Sequence, residues 1–359
     1  MKRYLYIFVA TLLLLLPQYA KAQHKSTDHI IGFYNLENLF DIYDDPVKND
    51  GEYLPDGKNK WTAAKYQKKL TNMASVIKAM AVENHQYHTL LGVSEIENRH
   101  VVEDLVSQPS IVDANYQIIH YDSPDRRGVD VALLYDPEQF TYIDSESLPF
   151  TFDSPRIDFV MSKENQEYFK TRDILMVHGL IDGEDVAVYV AHLPSRVGDK
   201  KGSSQLRSRG AEIIYDHAMM MMEKYPGIKV IAMGDMNDNP TDESMDVYLH
   251  GMENIKEVGT EDFFSPFRKM LKDGYGSLAY RGVWSIYDLI LVNKNLIDSP
   301  DGSLKIKKLG NGYYGRIFKK PFLLTKKGAY KGYPFRTFSN GSFLGGYSDH
   351  LPTYIVIGK

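Results

Sequence analysis

The stretch KVIAMGDMNDNP, residues 229–240, joins an apolar run to four acidic and amide side chains. KVIAM predicts a short buried strand, because apolar and β-branched residues follow one another almost without a break. Asp, Asn and Pro after a strand can form an ordinary turn. They can also present oxygen and nitrogen ligands at a strand end, where active sites of layered α/β proteins lie. If these residues are ligands, the ends of other strands should carry polar side chains as well, whereas an ordinary turn requires none there.

Strand and helix patterns alternate along the rest of the chain. Helical spacing of apolar residues predicts helices over 62–80, 101–106 and 205–225. Apolar or alternating runs predict strands at 29–36, 88–96, 116–122, 129–137, 185–193, 229–233, 285–292 and 350–357. Strands interleaved with helices, some of them adjacent in sequence, predict an α/β sandwich with mixed sheets.

The N-terminus has the pattern of a secretory signal peptide over residues 1–22. Lys2 and Arg3 precede an apolar run, and a small-x-small exit ends at Ala22. We expect cleavage near Ala22 and an exported protein, periplasmic or extracellular, with no stable membrane anchor. An uncleaved anchor is the alternative, although the run is short for a span of roughly 20 residues. Residues 23–359 show no linker or repeat, which predicts a single domain.

Composition excludes several classes of function. The chain has no Cys, so a Cys nucleophile, a thiolate metal site and disulfides are all absent. The formal net charge is −5, which is not that of a protein that coats nucleic acid nonspecifically. The sequence also lacks a G-x-S-x-G nucleophile motif, a Walker-type phosphate loop and HExxH. No protein partner is predicted.

Polar side chains stand at six sites, nearly every one of them at the boundary of a predicted strand. Taken one at a time, each is most simply a solvated loop residue. Asp288 is harder to explain this way, because it lies among aliphatic residues and a buried carboxylate needs a partner such as a His. The full set is Asn35, Glu95, His192, Asp235, Asn237, Asp288, Asp349 and His350.

These residue types suit hydrolysis of a phosphate ester. Carboxylate and carboxamide oxygens are ligands for a hard divalent ion such as Mg²⁺ or Mn²⁺. Such an ion polarises a phosphoryl oxygen, and a His held by a carboxylate acts as an acid or base near neutral pH. Since no Ser or Cys lies in a nucleophile-elbow motif, direct attack by water is the predicted mechanism.

Seven motifs, taken in order, resemble the endonuclease/exonuclease/phosphatase superfamily, which includes deoxyribonuclease I and the neutral sphingomyelinases. They are YNLENLFD (34–41), SEIEN (94–98), RRGVDVALLYDP (126–137), AHLPSR (191–196), GDMNDNP (234–240), YDLILV (287–292) and SDHLP (348–352). The resemblance implies a four-layer α/β/β/α sandwich of two packed mixed sheets.

The resemblance also implies a role for each matched residue. Metal ligation falls to Glu95, with Asn35 and Asp349 near the ion. Water orientation and phosphate binding fall to Asp235 and Asn237. The remaining roles are a catalytic His350 with Asp288 as its carboxylate partner, a phosphate-facing His192 with Asp130 as its support, and phosphate-binding arginines Arg196 and Arg127.

One long segment, 300–345, is an insertion relative to the compact nucleases. It carries ten Lys and Arg between Lys305 and Arg336, and we interpret it as a basic surface loop. It can contact a polyanion, with tyrosines available for stacking on bases, or it can simply cover a sheet edge. The tyrosines in question are Tyr313, Tyr314, Tyr330 and Tyr333.

The predicted function is a secreted phosphodiesterase that acts on nucleic acid or nucleotides. A phosphomonoesterase or a sphingomyelinase-type phospholipase of the same superfamily is the alternative. A third possibility is an inactive module that binds phosphorylated ligands. The completeness of the polar set argues against this, since an inactive relative should have lost a member.

Overall fold

The computed structural model describes residues 28–339 and 341–359, so the predicted signal peptide lies outside the described residues. The strands are β1 (Asp28–Leu39), β2 (Leu90–Ile96), β3 (Gln117–His120), β4 (Asp130–Tyr135), β5 (Phe140–Leu148), β6 (Ile174–Ile181), β7 (Glu184–His192), β8 (Lys229–Asp235), β9 (Gly251–Met252), β10 (Phe263–Phe264), β11 (Leu278–Tyr280), β12 (Val283–Ser285), β13 (Asp288–Asn293), β14 (Lys305–Ile306), β15 (Gly315–Ile317), β16 (Phe338–Ser339), β17 (Ser342–Phe343) and β18 (Thr353–Gly358).

Five α-helices accompany these strands: α1 (Ala63–Asn84), α2 (Arg99–Val106), α3 (Lys163–Tyr168), α4 (Lys200–Lys224) and α5 (Phe267–Lys272). A single π-helical turn, Ser244–Tyr248, follows the loop after β8. Short 3-10 turns occur at Gly51–Tyr53, Val112–Ala114, Lys294–Leu296 and Pro321–Leu323. Within the span from residue 28 onward that the structure describes, no helix has the length and apolar character of a membrane crossing.

Two mixed sheets form the centre of the molecule. The first has the order β14-β18-β1-β2-β4-β3, with β15 also paired to β18, and the second has the order β5-β6-β7-β8-β13-β10-β9. The pairs β1–β2, β7–β8 and β9–β10 are parallel, and the other neighbours are antiparallel. Two separate hairpins, β11–β12 and β16–β17, lie outside these sheets.

The two sheets pack face to face, and helices cover their outer sides. Strands β1, β2 and β4 of the first sheet contact β7, β8 and β13 of the second across a continuous apolar core. Gly92 marks the close approach of the sheets, because a Cβ there would lie 2.6 Å from Sδ of Met233. Helices α1 and α2 pack on the first sheet and α4 on the second. The predicted four-layer α/β/β/α sandwich is confirmed.

Helix α1 illustrates why the periodicity predicts its element well. Leu70, Met73, Ile77 and Met80 recur at helical spacing and are all buried against the first sheet. The helix ends at Asn84, and the next residue, His85, adopts the left-handed conformation with a φ of 59°. By contrast, the predictions omit β5, since most of its side chains are exposed and polar and carry little apolar signal.

The basic segment 300–345 is not one surface loop, which corrects the interpretation from sequence. Its first part supplies β14 and β15, which both pair with β18 at the edge of the first sheet. Ile317 and Phe318 of this part are buried in the core. Its later part carries Arg336, which contacts Asp349. The segment therefore covers a sheet edge and also reaches the predicted site.

Candidate active site

The strand pairing brings the predicted polar residues to one end of the two sheets. In the second sheet, His192 at the end of β7 lies opposite Asp235 at the end of β8. Asp235 in turn lies opposite Asp288, the first residue of β13. In the first sheet, Asn35 of β1 lies opposite Ser94, one residue before Glu95. Since β1–β2 and β7–β8 are parallel pairs, the two strands of each pair have their carboxyl ends at the same end of the sheet.

Irregular backbone at the strand ends aims the acidic side chains. The pairing of β2 with β4 shifts register between Ser94 and Ile96, and Glu95 between them has a φ of 58°. Such bulges redirect a side chain out of the strand alternation. Oε2 of Glu95 accepts a hydrogen bond from the backbone N–H of Asn38 at 2.9 Å. Glu95 is thereby held pointing out of the strand end.

The loop after β8 is fixed by its own amide and carboxylate groups. Asn237 has a φ of 50° and donates from its backbone N–H to Oδ1 of Asp235 at 3.0 Å. Nδ2 of Asn237 donates to the carbonyl of Leu193 at 2.9 Å. Gly234 is required before Asp235, since a Cβ there would lie 2.1 Å from the carbonyl oxygen of Ala191. The loop therefore ties the end of β8 to the end of β7.

Oδ2 of Asp235 is the point on which the site converges. Nδ2 of Asn35 donates to it at 2.9 Å, which joins the two sheets across 200 residues of sequence. Nε2 of His192 lies 3.7 Å from the same oxygen, and Nε2 of His350 lies 3.8 Å from it. Nε2 of His192 is also 3.9 Å from Oε1 of Glu95. Five side chains from five segments thus surround one small volume.

His350 and Asp288 form a buried pair. Nδ1 of His350 lies 2.8 Å and 3.0 Å from the two carboxylate oxygens of Asp288, which is fully buried. Oγ of Ser277 donates to Oδ2 of Asp288 as well. Burial acts to lower the pKa of His350, but the charges of Asp288 and Asp235 and the hydrogen bond to Asp288 raise it well above its usual range. His350 is therefore an imidazolium at neutral pH, with Nε2 directed at the site.

His192 differs from His350 in its protonation state. Burial, reinforced by the charges of Arg172 and Arg127, lowers its pKa well below the usual value, so this imidazole is neutral. Its Nδ1 is buried and has no hydrogen-bond partner among the described residues. The site thus contains one charged and one neutral imidazole on either side of Asp235, whose own pKa is raised to about 6, chiefly by burial.

Comparison with known proteins agrees with this geometry. The model of the endonuclease/exonuclease/phosphatase family matches residues 30–359. The chain belongs to this family. Members of the family are metal-dependent phosphoester hydrolases, and the chain is accordingly an enzyme of that class. No match was found among curated protein sequences.

Solved structures of the endonuclease/exonuclease/phosphatase family share the fold at low sequence identity. A humanized D. rerio TDP2 has a TM-score of 0.52 at 12% identity, covering 93% of this chain and 100% of that chain. A Bacteroides thetaiotaomicron mannosyl-6-phosphatase has a TM-score of 0.54 at 15% identity, covering 92% and 100%. The human Nocturnin catalytic domain with a bound sulfate anion has a TM-score of 0.51 at 14% identity, covering 92% and 94%.

The donor set fits the divalent metal on which the family depends. Asp235 and Glu95 are carboxylates of like charge in the same small volume, and Glu95 contributes to the raised pKa of Asp235, after burial and Asp288. A hard cation relieves such repulsion and prefers carboxylate and amide oxygens. Glu95 and Asn35 would hold it, because both lie at the strand ends next to Asp235.

Asp349, one of the predicted metal ligands, is held in an ion pair with Arg336. Its Oδ2 accepts a hydrogen bond from Nη2 of Arg336 at 2.9 Å. The same guanidinium donates from Nε to Oε1 of Glu37 at 3.1 Å. Glu37 is buried and also lies 4.0 Å from Nζ of Lys69, which is fully buried. Arg336 and Lys69 therefore balance the charges of Glu37 and Asp349 beside the site.

The guanidinium groups of the two predicted phosphate-binding arginines differ in how many protein contacts they make. Arg196 is committed to the loop after β8, since its guanidinium contacts Asp238 and Asp242 and donates to the carbonyl of Asn237. In this structure Arg196 positions Asn237. The side chain of Arg127 is half-exposed and its Nε lies 3.9 Å from Oδ1 of Asp125, a looser contact than those of Arg196, so its guanidinium is the more available of the two to a phosphate.

Asp130 does not have the partner that the resemblance suggested. Its Oδ1 accepts hydrogen bonds from Ser123, and its Oδ2 lies 3.1 Å from Nε2 of His120. Asp130 begins β4, which pairs with β3 in the first sheet and so brings His120 beside it. Asp130 therefore pairs with His120 and does not support His192, contrary to the prediction.

The support of His192 comes from Arg172, a residue that the sequence did not single out. Its guanidinium donates to the carbonyls of His192 and Leu193 at 3.0 and 2.9 Å and to Oδ2 of Asp125 at 2.9 Å. An Arg just before a strand is most often a solvated residue, so the local pattern gave no signal. Lys69 of α1 gave no signal either, and Glu37, which stands at the end of the first predicted strand, was assigned no role.

Proposed function

We propose that the chain is an exported, divalent-metal-dependent phosphodiesterase that acts on nucleic acid or nucleotides. The observation that carries the proposal is the convergence on Oδ2 of Asp235 of Asn35 and two imidazoles, with Glu95 beside them. This arrangement combines a base, a charged donor and a place for a cation within reach of one phosphate. Mg²⁺, or Mn²⁺ in its place, is the proposed ion.

The proposed reaction is attack of water on phosphorus. The water oxygen forms the new P–O bond and passes a proton to Asp235, while the ester P–O bond breaks and the leaving oxygen takes up a proton from solvent to form the alcohol. Asp235 then returns its proton to solvent. The raised pKa of Asp235, about 6, suits a base that works near neutral pH. The imidazolium of His350 donates from Nε2 to a phosphoryl oxygen, where negative charge develops. A bound divalent cation supplies further polarisation of the phosphoryl group.

The surroundings of the site favour a polyanionic substrate. Arg127 and Arg336 flank it, and Lys326, Lys327 and Lys331 of the basic segment have no carboxylate within 4.0 Å in the described part of the chain. Unpaired cations next to a hydrolytic site attract phosphate backbones. A related structure, D. rerio TDP2, is complexed with single-strand DNA product, which supports the same substrate class here.

A substrate screen tests the proposal. Purified protein is incubated with Mg²⁺ and, separately, single-stranded DNA, RNA, sphingomyelin vesicles, mannose 6-phosphate and bis(p-nitrophenyl) phosphate, each with and without a chelator. We expect chelator-sensitive cleavage of the nucleic acids and of the simple diester. Cleavage of only the lipid or only the sugar phosphate would replace our proposal by one of its alternatives. N-terminal sequencing of the protein recovered outside the cytoplasm tests export, with residue 23 as the expected start.

A further inference from the structure

A cleft of about 580 Å³ opens directly beside the catalytic residues. Asp349, which precedes His350, lines the cleft, and so does Arg336, which contacts Asp349. Cavities that hold small ligands are typically about 300–1,000 Å³. The cleft is therefore large enough for a ring system attached to a phosphate at the site.

Two of the segments that line the cleft carry its tyrosines, and the others are the β16–β17 region and Asp349. One wall is the β11–β12 hairpin, where Leu278 forms an isolated β-bridge with His350. The other is the turn 325–334 of the basic segment, closed by a hydrogen bond from the N–H of Thr325 to the carbonyl of Tyr333 at 2.8 Å. The hydroxyl of Tyr333 accepts a hydrogen bond from the N–H of Gly282 at 2.6 Å, which joins the two walls.

The lining is aromatic and cationic. Tyr280 and Tyr330 are 68% and 53% exposed, so part of each ring surface is open to a ligand. Arg281 lies over the ring of Tyr280 at 5.1 Å, and the rings of Tyr330 and Tyr333 are 5.9 Å apart. Exposed aromatic faces next to guanidinium groups are the elements on which unpaired bases stack.

This lining separates two classes of ligand. A sugar needs several carboxylate or amide groups to hydrogen-bond its hydroxyls, whereas among the described residues the lining offers one carboxylate, Asp349, which is already bound to Arg336, and no amide side chain. A nucleobase needs ring faces, which three tyrosines supply. A phosphate needs cations, which Arg281 and Arg336 supply. The lining therefore matches a nucleotide unit.

We infer that the cleft binds an unpaired nucleobase of the nucleotide next to the scissile phosphate. The inference rests on the proposed phosphodiesterase function and specifies its substrate as a single strand. Tyr280 and Tyr330 provide the stacking surface, and Tyr333 holds the two walls together. Tyr313 and Tyr314, which the sequence also suggested for stacking, do not line the cleft: Tyr313 pairs with Asp273, and Tyr314 packs on Phe264.

The test compares a ten-residue oligothymidylate with an abasic strand of the same length. The measured quantity is the ratio of kcat/KM for the two substrates in the purified protein. We expect Tyr280→Ala and Tyr330→Ala each to lower this ratio about tenfold, the effect of losing one stacked base. Tyr330→Phe retains the ring and should keep the wild-type ratio. Tyr313→Ala is the matched control in the same basic segment and should also keep it.

Binding is measured separately so that the two proposals can fail independently. A strand containing 2-aminopurine is titrated with protein in the presence of a chelator, and stacking quenches its fluorescence. Quenching that Tyr330→Ala abolishes, without hydrolysis of any strand, supports the cleft and refutes the phosphodiesterase. Hydrolysis with the same base-to-abasic ratio in wild type and both alanine variants refutes the cleft alone. Competition by mannose 6-phosphate that depends on Tyr330 assigns the cleft to a sugar and also overturns the inference.

Discussion

Replacing Asp288 by Asn tests the assignment of His350 most directly. The substitution keeps the shape of a fully buried side chain and removes its charge. Both carboxylate oxygens lie within 3.0 Å of Nδ1 of His350, so the change acts on this imidazole before anything else. Asp235 remains 3.8 Å from Nε2 and supplies only part of the attraction that keeps His350 protonated.

The expected loss of activity follows from the usual contribution of an acid–base group to the rate. A positioned acid–base group contributes roughly 10²–10⁴ in rate, or about 3 to 5 kcal/mol of transition-state stabilisation. We expect kcat of Asp288→Asn to fall by that factor at pH 7. Because burial lowers the pKa of His350 and Asp288 opposes it, the variant loses its proton at lower pH than the wild type. The basic limb of its kcat/KM profile should therefore move to lower pH.

The assay is hydrolysis of bis(p-nitrophenyl) phosphate from pH 5 to 9, with circular dichroism to confirm the fold. Asp185→Asn is a matched control, since Asp185 pairs with Nε2 of His178 at 2.7 Å at the opposite end of β7. The control should behave as the wild type. A kcat for Asp288→Asn within about threefold of the wild type, with an unmoved basic limb, would refute the role given to the pair.

Three further predictions concern the metal, a positioning residue and the core. Glu95→Gln should weaken Mn²⁺ binding at least about tenfold by calorimetric titration; an unchanged affinity would exclude Glu95 as a ligand. Arg172→Met removes the ion pair to Oδ2 of buried Asp125, whose Oδ1 keeps its contacts with Arg127, and should lower the free energy of urea unfolding by about 3 kcal/mol; a stability equal to the wild type would contradict this. His88 is buried with its pKa lowered to about 4, whereas in the unfolded chain it titrates near 6.5, so stability should fall by about 3 kcal/mol between pH 6.5 and 4. His88→Leu should lose that dependence, measured by urea unfolding at several pH values, and an unchanged slope would assign the dependence to other groups.

Much of the site could be predicted from local sequence because its residues follow buried strands. Asp235 and Glu95 come directly after apolar runs, and Asp288 stands within one, so the sequence marks them as polar groups in apolar surroundings. The pattern also fixed the two long helices, whose apolar faces recur at helical spacing. The resemblance then supplied the order of the motifs, and the family match over residues 30–359 agrees with it.

The partners of the charged groups were decided only by the tertiary structure. Arg196 contacts Asp238 and Asp242 instead of remaining free, and Asp130 contacts His120 instead of supporting His192. Arg172 took the supporting role with no local signal at all. The physical reason is that periodicity reports whether a side chain is buried. Which opposite charge it meets depends on strand pairing and on contacts between residues far apart in the chain.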